Sequence, residues 1–286
     1  MLLSATAMSL IGLFGKLGVV DFSITALIFW RFVLSSLLLF LSLLCLGQLE
    51  GLFDFRHFKM QAARSFFVLS AQYCFFYYMT QNTLLNASAL LNTGPIFISL
   101  IEWGIFRKKV GVSSWVGALV SFLGALLILQ PDAGIFSLIS IIGLLSGVGQ
   151  GASQVLFGMQ KERGETKPAI SVLQIFLVCT LISFFPFLIF QEEMVAGKIF
   201  GLADFGIVVA LGVTSILNQL FRAEAYYHGT PSRLSSYLYF TVILSAVLDW
   251  TVFGNPPNWI SIVGAGLIIL GGVLKIYLRN RILRKK

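Results

Sequence analysis

The chain has 286 residues, of which 57% are hydrophobic and only 11% charged. A water-soluble domain carries about 25% charge, so a soluble globule is excluded and a polytopic membrane protein is indicated. The net charge of +8 arises from short basic clusters between apolar runs, the pattern of loops facing an anionic membrane surface, and no nucleic-acid partner is expected.

Each crossing needs about 20 mostly apolar residues. At this hydropathy the crossings are helices, because every backbone polar group must be satisfied within its own segment. The first predicted span is 2–20; it lacks a basic lead and a cleavage site, carries Lys16 late, and is read as a membrane helix rather than a signal peptide. The second, 25–46, holds Arg31, and the third, 62–81, holds Tyr73 and Tyr77. The fourth, 84–106, contains Asn92, Pro95 and Glu102-Trp103. The fifth, 112–129, is marked by Gly117 and Gly124. The sixth, 135–158, interleaves Gly143, Gly147 and Gly151 with Gln150 and Gln154. The seventh, 169–190, contains Pro186, and the eighth, 202–223, contains Asn218, Gln219 and Arg222. The ninth, 234–253, holds Tyr237 and Asp249-Trp250, and the tenth, 259–278, holds Gly264 and Gly271. Connections are short, so no soluble domain is expected. The three cysteines lie inside apolar runs and form no CxxC, so no disulfide framework follows.

The stretch 86–127 is repeated without a gap at 233–274, with twelve identities in 42 positions. They include Trp103/Trp250, Gly117/Gly264, Ala118/Ala265 and Gly124/Gly271, and Glu102 lies over Asp249. Segments of this composition would share roughly four by chance. The chain therefore reads as a duplication, with halves at 1–134 and 135–286.

Of the 20 Lys and Arg, 17 fall on one side of the predicted membrane. They are Arg56, Lys59 and Arg64; Arg107, Lys108 and Lys109; Lys161, Arg163 and Lys167; Arg222 and Arg233; and six from Lys275 to Lys286. Lys198 is alone on the other side, and Lys16 and Arg31 lie within spans. This bias predicts both termini in the cytoplasm of a cell whose inner (plasma) membrane the chain crosses. Five spans per half is an odd number, so the second copy crosses in the opposite sense. The predicted fold is all-α: ten transmembrane helices in two inverted five-helix repeats.

Several motifs in this order carry a family likeness. They are Gly12, Gly15 and Lys16 in the first span; Arg31-Phe32 in the second; Pro95 with Trp103 in the fourth; and Gly-Ala…Gly in the fifth and tenth. With the ten-span count, the chain resembles the drug/metabolite transporter superfamily and, within it, the EamA-type carriers. It departs from that pattern after the fourth and ninth spans. There Arg107-Lys108 and Gly254-Asn255 replace the usual Gly-Glu, and Val242 stands where the repeat would place a second Pro95. The resemblance implies a carrier of a small metabolite, coupled to a proton or to counter-substrate exchange.

Polar groups inside spans are expensive and therefore informative. Glu102 and Asp249 fall at mirror-image depths, near opposite mouths. Each is expected to gate its own side by pairing with a cation: Arg107 or Arg222 inside, Lys16 or Arg31 outside. The alternative is that each snorkels to its interface beside a belt tryptophan. Substrate contacts are expected nearer the midplane, from Tyr73, Tyr77, Asn92, Gln150, Gln154, Asn218 and Tyr237, since amides and phenols suit a zwitterionic or neutral solute. The alternative for each is an interhelical hydrogen bond. The glycine stripes suit close helix contacts within the bundle or between protomers, which keeps a homodimer open.

The chain has only two histidines and lacks HExxH, GxSxG and Walker A motifs, so no enzyme, metal or cofactor is expected. The resulting expectation is a secondary transporter. Spans 1, 3, 4, 6, 8 and 9 would line its cavity, with spans 5 and 10 as braces. Its cargo would be an amino acid, an amine or an aminoacyl nucleoside such as S-adenosylmethionine. A drug or toxic-metabolite efflux carrier is the alternative, and a membrane enzyme or channel is the rival of another class.

Overall fold

The computed structural model describes residues 1–52, 58–107, 111–129, 138–162, 168–190, 201–228 and 234–283. Its helices are α1 (Leu2–Asp21), α2 (Ile24–Cys45), α3 (Phe58–Gln81), α4 (Leu84–Leu91), α5 (Gly94–Gly104), α6 (Val112–Leu129), α7 (Leu138–Glu162), α8 (Pro168–Phe190) and α9 (Leu202–His228). A 3-10 turn, Ser235–Tyr239, then leads into α10 (Phe240–Phe253), and α11 (Trp259–Leu283) ends the series. Six of the described spans are long and apolar enough to cross a membrane by length and composition, and Tyr237–Phe253 and Trp259–Leu274 are shorter apolar helices. The described residues are thus all-α, and their helices follow the predicted order.

The fourth span is broken. Pro95 has no N–H to give the preceding turn. Asn92 Nδ2 donates to the Ser88 carbonyl at 2.7 Å and Thr93 Oγ1 to the Leu90 carbonyl at 2.6 Å. The Ser88 carbonyl keeps its helical bond from the Asn92 N–H, whereas the Leu90 carbonyl is taken by the Thr93 N–H at 3.0 Å and hydroxyl, and the chain restarts as α5. In the second copy the 3-10 turn gives way to α10 at Tyr239–Phe240, the position equivalent to Asn92–Thr93.

Packing repeats the same symmetry. The main helix partners are α6 with α11, α3 with α7, α1 with α9, and α2 with α8, and α4 packs on α10. Exchanging each span for its counterpart in the other half maps this set onto itself. The α6–α11 crossing is reciprocal at its centre. A Cβ on Gly124 would meet the Gly264 carbonyl oxygen at 2.5 Å, and one on Gly271 would meet the Gly117 carbonyl oxygen at 2.5 Å. Gly117 and Gly264 are equivalent in the repeat, as are Gly124 and Gly271. The two inverted halves are therefore joined by a self-matching contact between their last helices.

The core is aromatic, with Phe32, Phe75, Phe76, Phe176 and Tyr226 fully buried. Leu181, Phe185 and Ile189 of α8 are exposed and present an apolar face to lipid. The glycines of α7 seat the break in the fourth span: a Cβ on Gly147 would lie 2.6 Å from the Leu90 carbonyl oxygen, and one on Gly151 2.8 Å from that of Gly94.

Two helix limits differ from the predicted ones with consequences for charge. Helix α3 begins at Phe58, and α9 continues to His228. Arg64 and Arg222, counted from the sequence among the cations of the cytoplasmic face, instead lie well inside their helices and are buried. The Arg64 guanidinium lies over the Phe157 ring, Arg222 lies one turn before Tyr226 on α9, and loop positions account for fewer of the basic residues than the sequence suggested.

Candidate functional site

Polar groups gather at the two ends of the bundle. Near the C-terminal end of α1 and of α10, Lys16 Nζ donates to Asp249 Oδ1 at 3.0 Å. Asp249 is 2% exposed. Its other oxygen, Oδ2, accepts the Leu85 backbone N–H at 2.9 Å. Leu85 lies in the first turn of α4, whose N-cap is Thr83. The carboxylate thus holds a lysine and a helix N-terminus at once. Asn255 Nδ2 approaches Oδ1 at 3.4 Å, and Lys16 Nζ lies 4.5 Å from the centre of the Phe253 ring. One acid of the second half therefore ties together two elements of the first.

The opposite end is tied by amides and arginines. Gln61 of α3 donates to the Ser171 carbonyl of α8 at 2.7 Å, and Gln160 of α7 donates to Gln61 Oε1. Arg64 Nη1 donates to Gln160 Oε1 at 3.3 Å, and its guanidinium carbon lies 3.8 Å from the centre of the Phe157 ring. Tyr226 of α9 donates to Gln154 Oε1. Between the two ends, Arg31 donates from Nε to Ser215 Oγ at 2.6 Å and from Nη1 to Gln72 Oε1 at 2.7 Å. Arg31 is thus held by neutral partners.

The residues singled out in the sequence are distributed as follows. Lys16 and Asp249 are brought together, whereas Arg31 is bonded elsewhere. Glu102 is half-buried, Arg107 is exposed, and no ion pair joins Arg222 to Glu102. Asn92 is buried and bonded to its own helix. Asn218 is buried and donates across to the Ser4 carbonyl at 2.7 Å. Gln150 lies beside the break in the fourth span, its Cγ 3.5 Å from a Cβ built on Gly94. Gln154 bonds Tyr226. Tyr73 is half-buried, with its hydroxyl unbonded inside the protein, whereas Tyr77 and Tyr237 are 44% and 46% exposed on the bundle surface. Sequence reasoning missed Gln61, Gln72, Gln160 and Tyr226. For Tyr226 the available signal was its i, i+4 spacing from Arg222, since such pairs share a helix face.

The profile of the EamA-like transporter family matches residues 1–130 and 137–277. Over 206 residues the chain is 27% identical to the pseudopaline exporter CntI of Pseudomonas aeruginosa, covering 71% of this chain and 70% of that one. It is 27% identical over 183 residues to a riboflavin transporter of Vibrio cholerae, covering 64% and 59% of the two chains. It is 24% identical to a riboflavin transporter of Brucella anthropi over 84% of each chain. A solved crystal structure aligns over 98% of both chains with a TM-score of 0.71 at 16% identity, a likeness of fold.

Proposed function

The chain belongs to the EamA-like transporter family and is a secondary transporter rather than an enzyme, and from that premise we propose that it moves a small polar metabolite of the amino-acid or amine class across the inner membrane by alternating access. The observation that carries this reading is the Lys16–Asp249–Leu85 arrangement. It joins the two halves at one mouth through a single buried carboxylate, beside a Ser261–Asn86 hydrogen bond of 3.2 Å. Neutralising Asp249, by a proton or by a cation on the solute, releases Lys16 and weakens the hold on the Leu85 N–H at the start of α4. The glycine seats on α7 then allow the broken fourth span to shift without a side chain in its way.

Supporting the cargo class are the buried Tyr73 hydroxyl and Gln154 Nε2, which have no hydrogen-bond partner among the described residues, beside interior aromatic rings suited to a zwitterion through hydrogen bonds and cation–π contacts. The named relatives move chemically different solutes, so the family sets the mode of action and this chain's own side chains set the cargo. The basic end is assigned to the cytoplasm with both termini, and the Lys16–Asp249 end to the outside.

Cysteine accessibility tests the movement. In a variant with the three native cysteines replaced by serine, Leu85→Cys places a thiol behind the latch, because Leu85 is buried. During turnover a membrane-impermeant maleimide added outside is expected to label it, and labelling is expected to rise when Asp249 is also neutralised. An active carrier whose Cys at position 85 stays unlabelled from outside would contradict alternating access at this mouth. For the orientation, green fluorescent protein fused after Lys286 is expected to fluoresce and alkaline phosphatase fused there to be inactive; the reverse pair would invert the assignment.

A further inference from the structure

A second charged group sits deep in the bundle without a counter-charge. Arg222 is 5% exposed, and its Nε and Nη2 are buried with no hydrogen-bond partner. Among the described residues, no carboxylate lies within ion-pair distance of it. One turn along α9, Tyr226 bonds Gln154 Oε1, and the Gln154 amide nitrogen, Nε2, is also buried without a partner. Tyr226 lies within electrostatic reach of both Arg222 and Arg64, and its ring centre is 5.5 Å from that of Phe157, which carries Arg64 on its face. The neighbourhood thus offers positive charge and unused N–H donors.

Leaving a guanidinium unpaired away from water is costly, and in a membrane protein such a group marks a pathway or a ligand by default. The two idle nitrogens of Arg222 are significant as a pair. Nε and Nη2 form the edge of the guanidinium that grips a carboxylate through two parallel bonds. Gln154 Nε2 adds a third donor. A carboxylate matches this set with two oxygens and one charge. A phosphate brings three oxygens and up to two charges, more than these donors satisfy, and an ammonium would be repelled.

We propose that Arg222, assisted by Gln154, binds the carboxylate of the transported solute between α7 and α9, which selects amino acids and other carboxylates over bare amines. The proposal rests on the carrier reading above and names the chemistry of its cargo. It also gives Arg222 a role different from the gate expected in the sequence.

The test is thermal unfolding of the purified full-length protein with matched probes: glycine and glycinamide, phenylalanine and phenylalaninamide, lysine and lysinamide, and inorganic phosphate. At least one acid is expected to raise the midpoint where its amide does not. Arg222→Gln is expected to remove that shift while leaving the ligand-free midpoint unchanged or higher, because a buried unpaired charge has gone. A structural arginine would instead lower the ligand-free midpoint. Gln154→Glu retains an acceptor for Tyr226 and sets a carboxylate beside Arg222; it is expected to raise the ligand-free midpoint and abolish the response to acids. Equal shifts from acid and amide, a shift from phosphate alone, no shift from any acid, or an undiminished shift in Arg222→Gln would each overturn the assignment. Uptake into proteoliposomes separates the two readings. An acid that binds through Arg222 but is not taken up contradicts the carrier reading and leaves the site standing. Unaltered uptake of the acid by Arg222→Gln removes the site and leaves the carrier standing.

Discussion

Asp249→Asn is expected to destabilise the protein by about 3 kcal/mol and to slow transport by about tenfold or more. The substitution leaves an amide oxygen for the Leu85 N–H, so the loss falls on the ion pair. Lys16 then keeps its charge without a partner in a site where its side chain is 15% exposed. That residual exposure puts the effect at the low end of the range for breaking a buried pair. The double variant Lys16→Met/Asp249→Leu separates scaffold from latch. Replacing both charges by apolar groups of similar volume is often neutral or stabilising, so the double variant is expected to regain stability while transport stays slow. Thermal unfolding and initial uptake rates on the same preparations supply both readouts. If Asp249→Asn unfolds and transports like the wild type, the pair is an interfacial contact without a role in gating.

The second large effect is expected at the α6–α11 crossing. A Cβ on Gly124 would sit 2.5 Å from the Gly264 carbonyl oxygen and 2.8 Å from the Ile268 backbone nitrogen; one on Gly271 would sit 2.5 Å from the Gly117 carbonyl oxygen and 2.8 Å from the Ser121 nitrogen. These obstacles are backbone, so the helices must separate. Overpacking costs about 1–3 kcal/mol, and for Gly124→Ala a gain in helix propensity of about 1 kcal/mol offsets part of that. For Gly124→Val the offset is smaller and the bulk larger, so a loss of at least about 3 kcal/mol is expected, seen as a lower unfolding midpoint or a low yield of folded protein. The reciprocal geometry makes Gly271→Val equally damaging. Gly266, on α11, has open space where its Cβ would go, so Gly266→Val is the control that should fold normally. Equal behaviour of all three variants would contradict the close crossing.

Much of the architecture was legible in the chain because lipid leaves it few choices. Apolar run length set the spans, and the repeated Glu102-Trp103 and Asp249-Trp250 with the paired glycines gave the duplication. The reciprocal Gly124–Gly264 and Gly271–Gly117 contacts are the physical reason those glycines recur. The candidate site was less legible. A helix that is apolar all round gives no amphipathic signal for which face turns inward, so Tyr73 and Tyr77 were assigned one lining although Tyr77 points to the surface. Arg64 and Arg222 count from the sequence as face charges because each lies within two turns of a helix end. Only the tertiary neighbours Phe157, Gln154 and Tyr226 reveal that they are inside. By contrast, Lys16 and Asp249 stand out because intramembrane charges are rare enough that an acid and a base at one depth suggest each other.

The most direct test of the carrier reading is uptake of a radiolabelled amino-acid mixture by proteoliposomes holding the purified full-length protein, with and without unlabelled amino acids trapped inside. Alternating access predicts uptake that saturates with external concentration and accelerates when solute is present on the trans side. Flux that rises linearly with concentration and ignores the trans solute would contradict it.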